Sequence, residues 1–559
     1  MVDEKKEEGV GNLPQVAADF IASVIKKIRY RKKVRREVKA ELKAHFADAL
    51  SDCQNQEQRQ TKAQQLIEGF GDAKLLAKLI RRGKKRCRPL WVQALAKVGQ
   101  AAVLLIILFA LYTAWFVSGK PNPRIDYMSV LNEMGRSAVS EEDNAWPMYK
   151  KAGELLVQPD EKIKELAETA GWYWRTILTQ SNAVTDAQKT DLAEWIEENE
   201  EAWQHLVAGS LKRQFSRELA YTGEEEERRL RDFAIPLEPF RELYFMARWR
   251  VWLEIAQCQM LSAAQDCLVM VRVARSMQGE HNNILDHALA MLYSKIAYRA
   301  LVHIAGMEKL TVSELKLIQD ELAKIYNEGY PHLSMEEPKI MDLDAQQHIF
   351  TEGGPGGGHI IFDDLIQILK YRFDMPDRKT PWYMPAVALG AGMIHAGRDE
   401  TLAMTNELWD NIRAEFKKTP YEREIVSGSN MMEFLSTLPK YRYFLVHSPP
   451  DFRDRADAVH QIGEEYEATM TIIALKRWQS EKGEYPENLE ELTEECYLKQ
   501  LPMDPYSDKP LVYRRENGDF RLYSVGQNLK DDGGVYIDDE DGRKSTWPEE
   551  GDTIFWPVE

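Results

Sequence analysis

The chain has 559 residues, which is too long for a single hydrophobic core and predicts several structural units. Its net charge of −17 is unevenly distributed, because residues 1–97 hold 23 Lys/Arg against 12 Asp/Glu and the remainder therefore has a balance of −28. The five cysteines form no CxxC pair and no Cys/His cluster, which argues against a zinc site and a disulfide framework.

The first ninety residues predict a flexible segment followed by a small helical domain. We predict flexibility over residues 1–30 and three short helices over residues 31–89. In Lys33–Leu50, apolar residues recur at intervals of three and four, which indicates one apolar helical face. A second helix is predicted over Thr61–Phe70, and Asp72 is placed to cap a third.

The spacing of ELKAHFADAL and AQQLIEGFGDAKLLAKLI in this region resembles the HAAS or permease-prefix helical domain of bacterial membrane proteins. The resemblance implies a signalling or protein-docking module without catalysis. The basic run Lys26–Arg36 has two interpretations, a nucleic-acid patch or a segment attracted to anionic membrane lipid. We prefer membrane lipid, at on the order of 1 kcal/mol per basic residue, and expect no nucleic-acid partner.

An uncharged run of 21 residues, Val98–Ser118, predicts a transmembrane helix within residues 90–119. At about 1.5 Å per residue it reaches about 30 Å, the thickness of the hydrocarbon layer. The basic run Arg81–Arg88 precedes it, and cationic flanks stay on the cytoplasmic side. We therefore predict a single-pass protein of the inner (cytoplasmic) membrane, with a cytoplasmic N-terminus and an extracytoplasmic C-terminal region.

Residues 120–455 predict a helical, solenoid-like extracytoplasmic domain. Asn144–Leu156 and Leu192–Leu211 repeat the helical period, and Leu243–Met277 predicts two helices that meet near Leu261–Ala264. The order of NAWPMYKKA, ENEEAW and the terminal module resembles a family of large membrane-anchored proteins from planctomycete-type bacteria, and that resemblance implies no known activity.

Three features of this region could carry chemistry. Glu352–His359 is glycine-rich but lacks the GK[ST] of a phosphate-binding loop, so we predict a flexible loop between helices. His348, His359, Asp363 and Asp364 are candidates for a metal or enzyme site. The aromatic clusters Gly171–Trp174 and Pro381–Pro385 have core packing or loop anchoring as their expected role and sugar stacking as the alternative.

Residues 456–559 predict a small α+β module. Ala456–Gly483 has the pattern of a long helix that ends at a glycine. PLVYRR and FRLYSVG read as two strands joined by the turn ENGD, and we expect a small antiparallel meander. The fold class is therefore mainly α with a small α+β C-terminal module.

The motifs GEYPENLEEL, LPMDPYSDKPLVYR and FRLYSVGQN resemble the globular head of the type II secretion major pseudopilin. The resemblance implies the head fold and an acidic loop that holds structural calcium, a cation that prefers oxygen donors. The chain departs from pseudopilins at its apolar span, where Gln100 follows Gly99 and Leu104 stands at the fifth position. The candidate calcium ligands are Asp531, Asp532, Asp538, Asp539 and Asp541.

The outer region contains no GxSxG, HExxH or other nucleophile signature. We predict a non-enzymatic membrane protein that binds protein partners in the cell envelope as a scaffold, sensor or secretion-associated component. One alternative is an envelope enzyme with a site around His348–Asp364. The other is transmembrane signalling to a transcription regulator through the HAAS-like domain.

Overall fold

The computed structural model describes residues 13–86, 90–169, 184–220, 238–327, 329–373, 375, 379–447, 453–536 and 547–558. The chain divides into two compact units, Met1–Ala114 and Trp115–Glu559. The described part is mainly helical and has a small three-stranded antiparallel sheet, which confirms the predicted fold class at this level.

The N-terminal unit contains four helices that share one hydrophobic core. They are α1 (Gln15–Lys27), α2 (Lys32–Ala49), α3 (Gln56–Phe70) and α4 (Ala73–Arg86). The expected flexible segment is wrong over α1, because Ala17, Ile21 and Val24 lie one helical turn apart and are buried in that core. The predicted three-helix bundle is therefore a four-helix one, and Asp72 caps α4 by accepting the Leu75 amide at 3.3 Å.

The apolar run forms helix α5 (Leu90–Val117). Within it, Ala94–Val117 is the described segment that is long and apolar enough to cross a membrane, with a mean hydropathy of 2.2 over its most apolar window. None of that window is buried within the structure, in contrast to the mostly buried core helix of a soluble protein.

The second unit continues with sixteen described α-helices, the last of which belongs to the C-terminal module, and the sheet. A short 3-10 helix, Pro355–Gly357, and a π-helix, Glu422–Val426, interrupt the series. The α-helices are α6 (Tyr127–Ala138), α7 (Trp146–Leu155), α8 (Glu161–Thr169), α9 (Asp186–Glu198), α10 (Glu200–Ser210), α11 (Glu238–Ala256), α12 (Met260–Ser276), α13 (Ile284–Gly306), α14 (Val312–Ile325), α15 (Glu336–Ile349), α16 (Phe362–Arg372), α17 (Met384–Ile394), α18 (Arg398–Phe416), α19 (Asn430–Thr437) and α20 (Arg453–Lys482).

The predicted helix pair over Leu243–Met277 is present as α11 and α12, but its junction was misplaced. The break lies at 257–259, where Cys258 has a φ of 57°, rather than at Leu261–Ala264. Helices α12, α13, α14 and α20 pack together, and one hydrophobic core runs from Ala145 to Trp556. The predicted boundary at residue 455 is therefore not a break in packing, because α20 belongs to the same core as the preceding helices.

The C-terminal module adds a short helix, α21 (Glu490–Glu494), and the strands β1 (Val512–Glu516), β2 (Asp519–Ser524) and β3 (Thr553–Trp556) in the order β1-β2-β3. Asn517 and Gly518 both have positive φ, 51° and 82°, as the predicted hairpin turn requires. The long helix ends at Gly483, which has a φ of 85°.

Asp504, the aspartate of LPMDP, links two parts of this module by hydrogen bonds. The Asp504 carboxylate accepts hydrogen bonds from the Tyr506 amide at 2.9 Å, the Ser524 hydroxyl at 2.9 Å and the Val525 amide at 3.0 Å. Because these donors come from the proline-rich segment and from the end of β2, one buried side chain joins the two.

Candidate functional site

The glycine-rich stretch closes a tight turn between α15 and α16. The Thr351 amide donates to the His359 carbonyl at 2.8 Å, and Phe350 and Ile360 form an antiparallel bridge. This backbone shape requires glycine, because a side chain is strained at positive φ. The positive-φ glycines of the turn are Gly353, Gly354, Gly356, Gly357 and Gly358. The predicted position of this loop between two helices is confirmed, and its flexibility stays a prediction.

This turn and helix α15 hold the chain that follows α5. Glu352 accepts a hydrogen bond from Asn122 at 2.6 Å and forms an ion pair with Arg124 at 2.8 Å. The Gln347 amide donates to the Ile125 carbonyl at 2.8 Å and accepts from the Ile125 amide at 3.2 Å. The region that was a candidate for an enzyme site therefore has a structural role, because it binds the segment that follows α5.

The candidate histidines contact groups other than the candidate aspartates. His348 hydrogen-bonds to the Asp344 carbonyl at 2.9 Å, whereas the His359 ring packs on that of Phe116 at 4.7 Å. Asp363 and Asp364 lie in the first turn of α16, where the helix dipole favours carboxylates. Across the described ranges, no three His, Cys, Asp or Glu side chains are arranged to hold a metal ion.

The acidic loop after β2 is organised by its own hydrogen bonds. Asp531 accepts from the Tyr523 hydroxyl at 2.8 Å, and Asp532 accepts from the Asn528 amide at 2.8 Å. Asp552 accepts from the Asp532 backbone amide at 3.1 Å, and burial together with these two carboxylates raises the pKa of Asp552. Calcium at this loop stays a prediction. The candidates Asp538, Asp539 and Asp541 and the aromatic cluster Gly171–Trp174 lie outside the described residues.

An open cleft of about 510 Å³ lies in the helical part of the second unit. Four segments supply its walls: the end of α10 with the loop after it, the last turns of α12, the loop before α13, and the end of α14. The lining residues are Ser210, Leu211, Lys212, Arg213, Gln214, Arg272, Arg275, Ser276, Gly279, Glu280, His281, Glu321, Lys324, Ile325 and Asn327.

Cationic side chains dominate this cleft, with five Lys/Arg against two carboxylates. Arg272 and Lys324 both bind Glu321, at 2.8 and 2.7 Å, and these cations lower the pKa of Glu321, the Lys324 hydrogen bond most. Arg213 and Arg275 have no carboxylate partner among the described residues. The cleft therefore holds an excess of positive charge in a region of the chain whose overall balance is strongly negative.

Helix geometry explains part of this charge. Arg272 and Arg275 are three residues apart on α12, so they share one face. Arg275 and Lys324 also lie in the last turns of their helices, where a cation complements the helix dipole. A guanidinium has five N–H donors in a planar fork. The interaction with the helix dipole does not occupy these donors, so they can still bind a carboxylate.

The cleft was not found from the sequence, although each of its cations is visible there. Its walls come from segments that extend from Ser210 to Asn327, and periodicity shows which face of a helix is buried but not which helix ends meet. No family model, no curated protein and no solved structure matches this chain. The resemblances to the HAAS domain and to pseudopilins therefore rest on the quoted motifs alone.

Proposed function

We propose that this chain is a non-enzymatic, single-pass membrane protein that binds an acidic segment of a partner protein in the cell envelope. The observation that carries the proposal is the cleft, where Arg213 and Arg275 face an open space without a carboxylate partner. Carboxylates of a bound segment supply the partners that the fold leaves out.

The composition of the cleft favours a polypeptide over a small apolar ligand. Small-molecule pockets are lined mostly by hydrophobic and aromatic side chains. Here Leu211 and Ile325 are the large apolar lining residues and the remaining walls are mainly polar or charged. Recognition then depends on charge and hydrogen bonds, which select a partner by its acidic pattern.

Anchoring in the inner membrane through α5 is part of the same proposal. Its support is the length and hydropathy of Ala94–Val117, the absence of buried residues from its most apolar window, and the basic residues that precede it. With the positive flank inside, the cleft-bearing unit lies on the extracytoplasmic side.

A peptide-binding experiment tests the cleft. The full chain in lipid nanodiscs is titrated with a fluorescein-labelled glutamate-rich peptide, with a lysine-rich peptide of equal length as the control ligand. We expect saturable binding of the acidic peptide that weakens as sodium chloride rises, because salt screens exposed charges. Arg213→Glu combined with Arg275→Glu is expected to weaken binding at least about tenfold.

The matched control is Lys309→Glu combined with Lys499→Glu, which changes the net charge equally at exposed lysines outside the cleft. We expect its affinity to stay within about twofold of the unaltered chain. Equal weakening by both pairs overturns the proposed site. Displacement of the peptide by millimolar inorganic phosphate assigns the cleft to small anions instead.

A further inference from the structure

Helix α17 is wholly apolar in sequence yet incompletely buried. Its residues, MPAVALGAGMI, include no polar side chain. Met384 and Ala388 pack inward, whereas Met393 is 60% exposed and Ile394 is 49% exposed. At about 1.5 Å per residue its 11 residues reach about 16 Å, too short to cross a bilayer.

Exposed aromatic side chains border this helix. Trp382 is 91% exposed, which excludes core packing for this residue and leaves loop anchoring, the other expected role, as a prediction. Tyr383 is exposed beside Trp382, and their rings make an edge contact at 6.0 Å. Tyr371 and Phe373, at the end of the α16 helix that packs on α17, are exposed as well. We call the exposed side chains of α17 together with these aromatic residues the α17 surface.

The end of α5 lies against this surface. A Cβ atom added at Gly392 of α17 would meet the Phe116 ring at 2.2 Å, which shows that the ring packs directly on the glycine backbone. Phe116 is fully buried, whereas its neighbour Trp115 is 45% exposed. Thus α17 is packed beside the last turn of the helix that we propose to cross the membrane.

We propose that α17 and its flanking aromatic residues insert into the interface of the outer lipid leaflet. The inference rests on the membrane anchoring proposed above, since the end of a spanning helix lies at that interface. An apolar helix of 10 to 14 residues that is not a core helix has the length of a re-entrant or interfacial segment. Tryptophan and tyrosine are enriched at the headgroup level, as Trp382, Tyr383 and Trp115 would be here.

Insertion would hold the second unit at the bilayer surface by two attachments rather than one. A single helix leaves the domain that follows it free to tilt, whereas an adjacent apolar helix in the interface fixes its orientation. The Phe116 ring, in the last turn of α5, packs on Gly392 of α17, and this contact with the end of the proposed span favours lipid over a separate protein partner as the occupant.

Photocrosslinking to lipid tests the proposal. The full chain carries p-benzoylphenylalanine in place of Trp382 or Val387 and is reconstituted into phosphatidylethanolamine/phosphatidylglycerol vesicles. Leu105, in the proposed span, serves as the positive position, and Leu317, an exposed leucine on α14, serves as the negative one. After irradiation, mass spectrometry measures the fraction of chain that carries a phospholipid adduct.

We expect adducts at Trp382 and Val387 within about threefold of Leu105 and at least about tenfold above Leu317. Adducts at Leu105 but background yields at Trp382 and Val387 would overturn the interfacial role and leave the anchoring intact. Background yields at Leu105 would overturn the anchoring and this inference with it. Protein adducts at Trp382 in intact cells, without lipid adducts there, would assign the surface to a partner protein instead.

Discussion

Two arginines of the second unit, Arg217 and Arg275, show how the same side chain serves the fold in one place and is left open in another. The Arg217 side chain is 3% exposed, ion-pairs with Asp286 at 2.5 Å and lies among aromatic rings. Arg275 lines the open cleft and has no carboxylate partner in the described ranges. A charge that the fold itself neutralises holds the structure together, and a charge left open on a cleft is available to a ligand.

Burial affects even the paired group. It raises the pKa of Asp286 to about 6, although the Arg217 guanidinium acts in the opposite direction. The desolvation of both ions thus outweighs their attraction for each other, as is common for buried pairs. Removal of one partner strongly destabilises the fold, whereas replacement of both by apolar residues has little effect on stability.

The largest expected effect follows from breaking this pair. Asp286→Ala leaves the Arg217 guanidinium buried without its carboxylate, and we expect the free energy of unfolding to fall by about 3–5 kcal/mol. Urea unfolding of the full chain, followed by tryptophan fluorescence, measures the change. The double variant Arg217→Met with Asp286→Leu should recover most of the loss, and equal losses in both would contradict this account.

The buried carboxylate of Glu337 makes the stability of the fold depend on pH. Glu337 is 5% exposed and accepts the Ile284 amide at 3.2 Å, and burial raises its pKa to about 7. Because its folded pKa is above its unfolded value, the folded state binds this proton more tightly, and stability from this group is lost as pH rises from about 4.5 to about 7.

Glu337→Gln removes this titration. We expect its free energy of unfolding, relative to the unaltered chain, to rise by about 3 kcal/mol between pH 4.5 and pH 7.5, at about 1.4 kcal/mol per pKa unit. Urea midpoints at the two pH values measure this difference. Using the difference between variants cancels the opposite contribution of buried histidines such as His287, whose pKa burial lowers to about 4. A difference that does not change with pH would contradict the assignment.

A smaller effect is expected where one carboxylate satisfies several donors. Asp504→Ala removes the acceptor for Tyr506, Ser524 and Val525, and we expect a loss of about 2–3 kcal/mol because buried donors without a partner are costly. Hydrogen exchange at the Val525 amide should accelerate. The exposed Asp508→Ala in the same segment is the control and should leave both quantities unchanged.

The C-terminal module shows which features the sequence makes predictable. Helix Arg453–Lys482 and the hairpin turn at Asn517–Gly518 were both expected, because a glycine stop and an Asn-Gly turn are set by a few adjacent residues. Strand β3 was not expected individually, since a four-residue run gives little periodicity. Helix α1 was overlooked, although Ala17, Ile21 and Val24 already repeat at the helical spacing.

Features that depend on tertiary packing could not be predicted from local sequence patterns. The tie between Glu352 and Arg124 joins positions more than 200 residues apart, and the cleft joins the ends of three helices. Local periodicity fixes neither, because it contains no information about which helices pack together. The same holds for α17, whose apolar sequence fits a core helix as well as an interfacial one.

The smallest expected change in stability lies at the cleft itself. Arg213→Gln combined with Arg275→Gln removes two charges that no described carboxylate neutralises, so we expect the free energy of unfolding to change by less than about 0.5 kcal/mol. Binding of the acidic peptide should nevertheless fall about three- to tenfold, because each arginine contributes charge-assisted hydrogen bonds only when a carboxylate is bound. Urea unfolding and the peptide titration on the same preparation separate the two quantities. A stability loss as large as that of Asp286→Ala would mean that these arginines stabilise the fold as Arg217 does. The distinction between arginines paired within the fold and arginines available to a ligand would then be wrong.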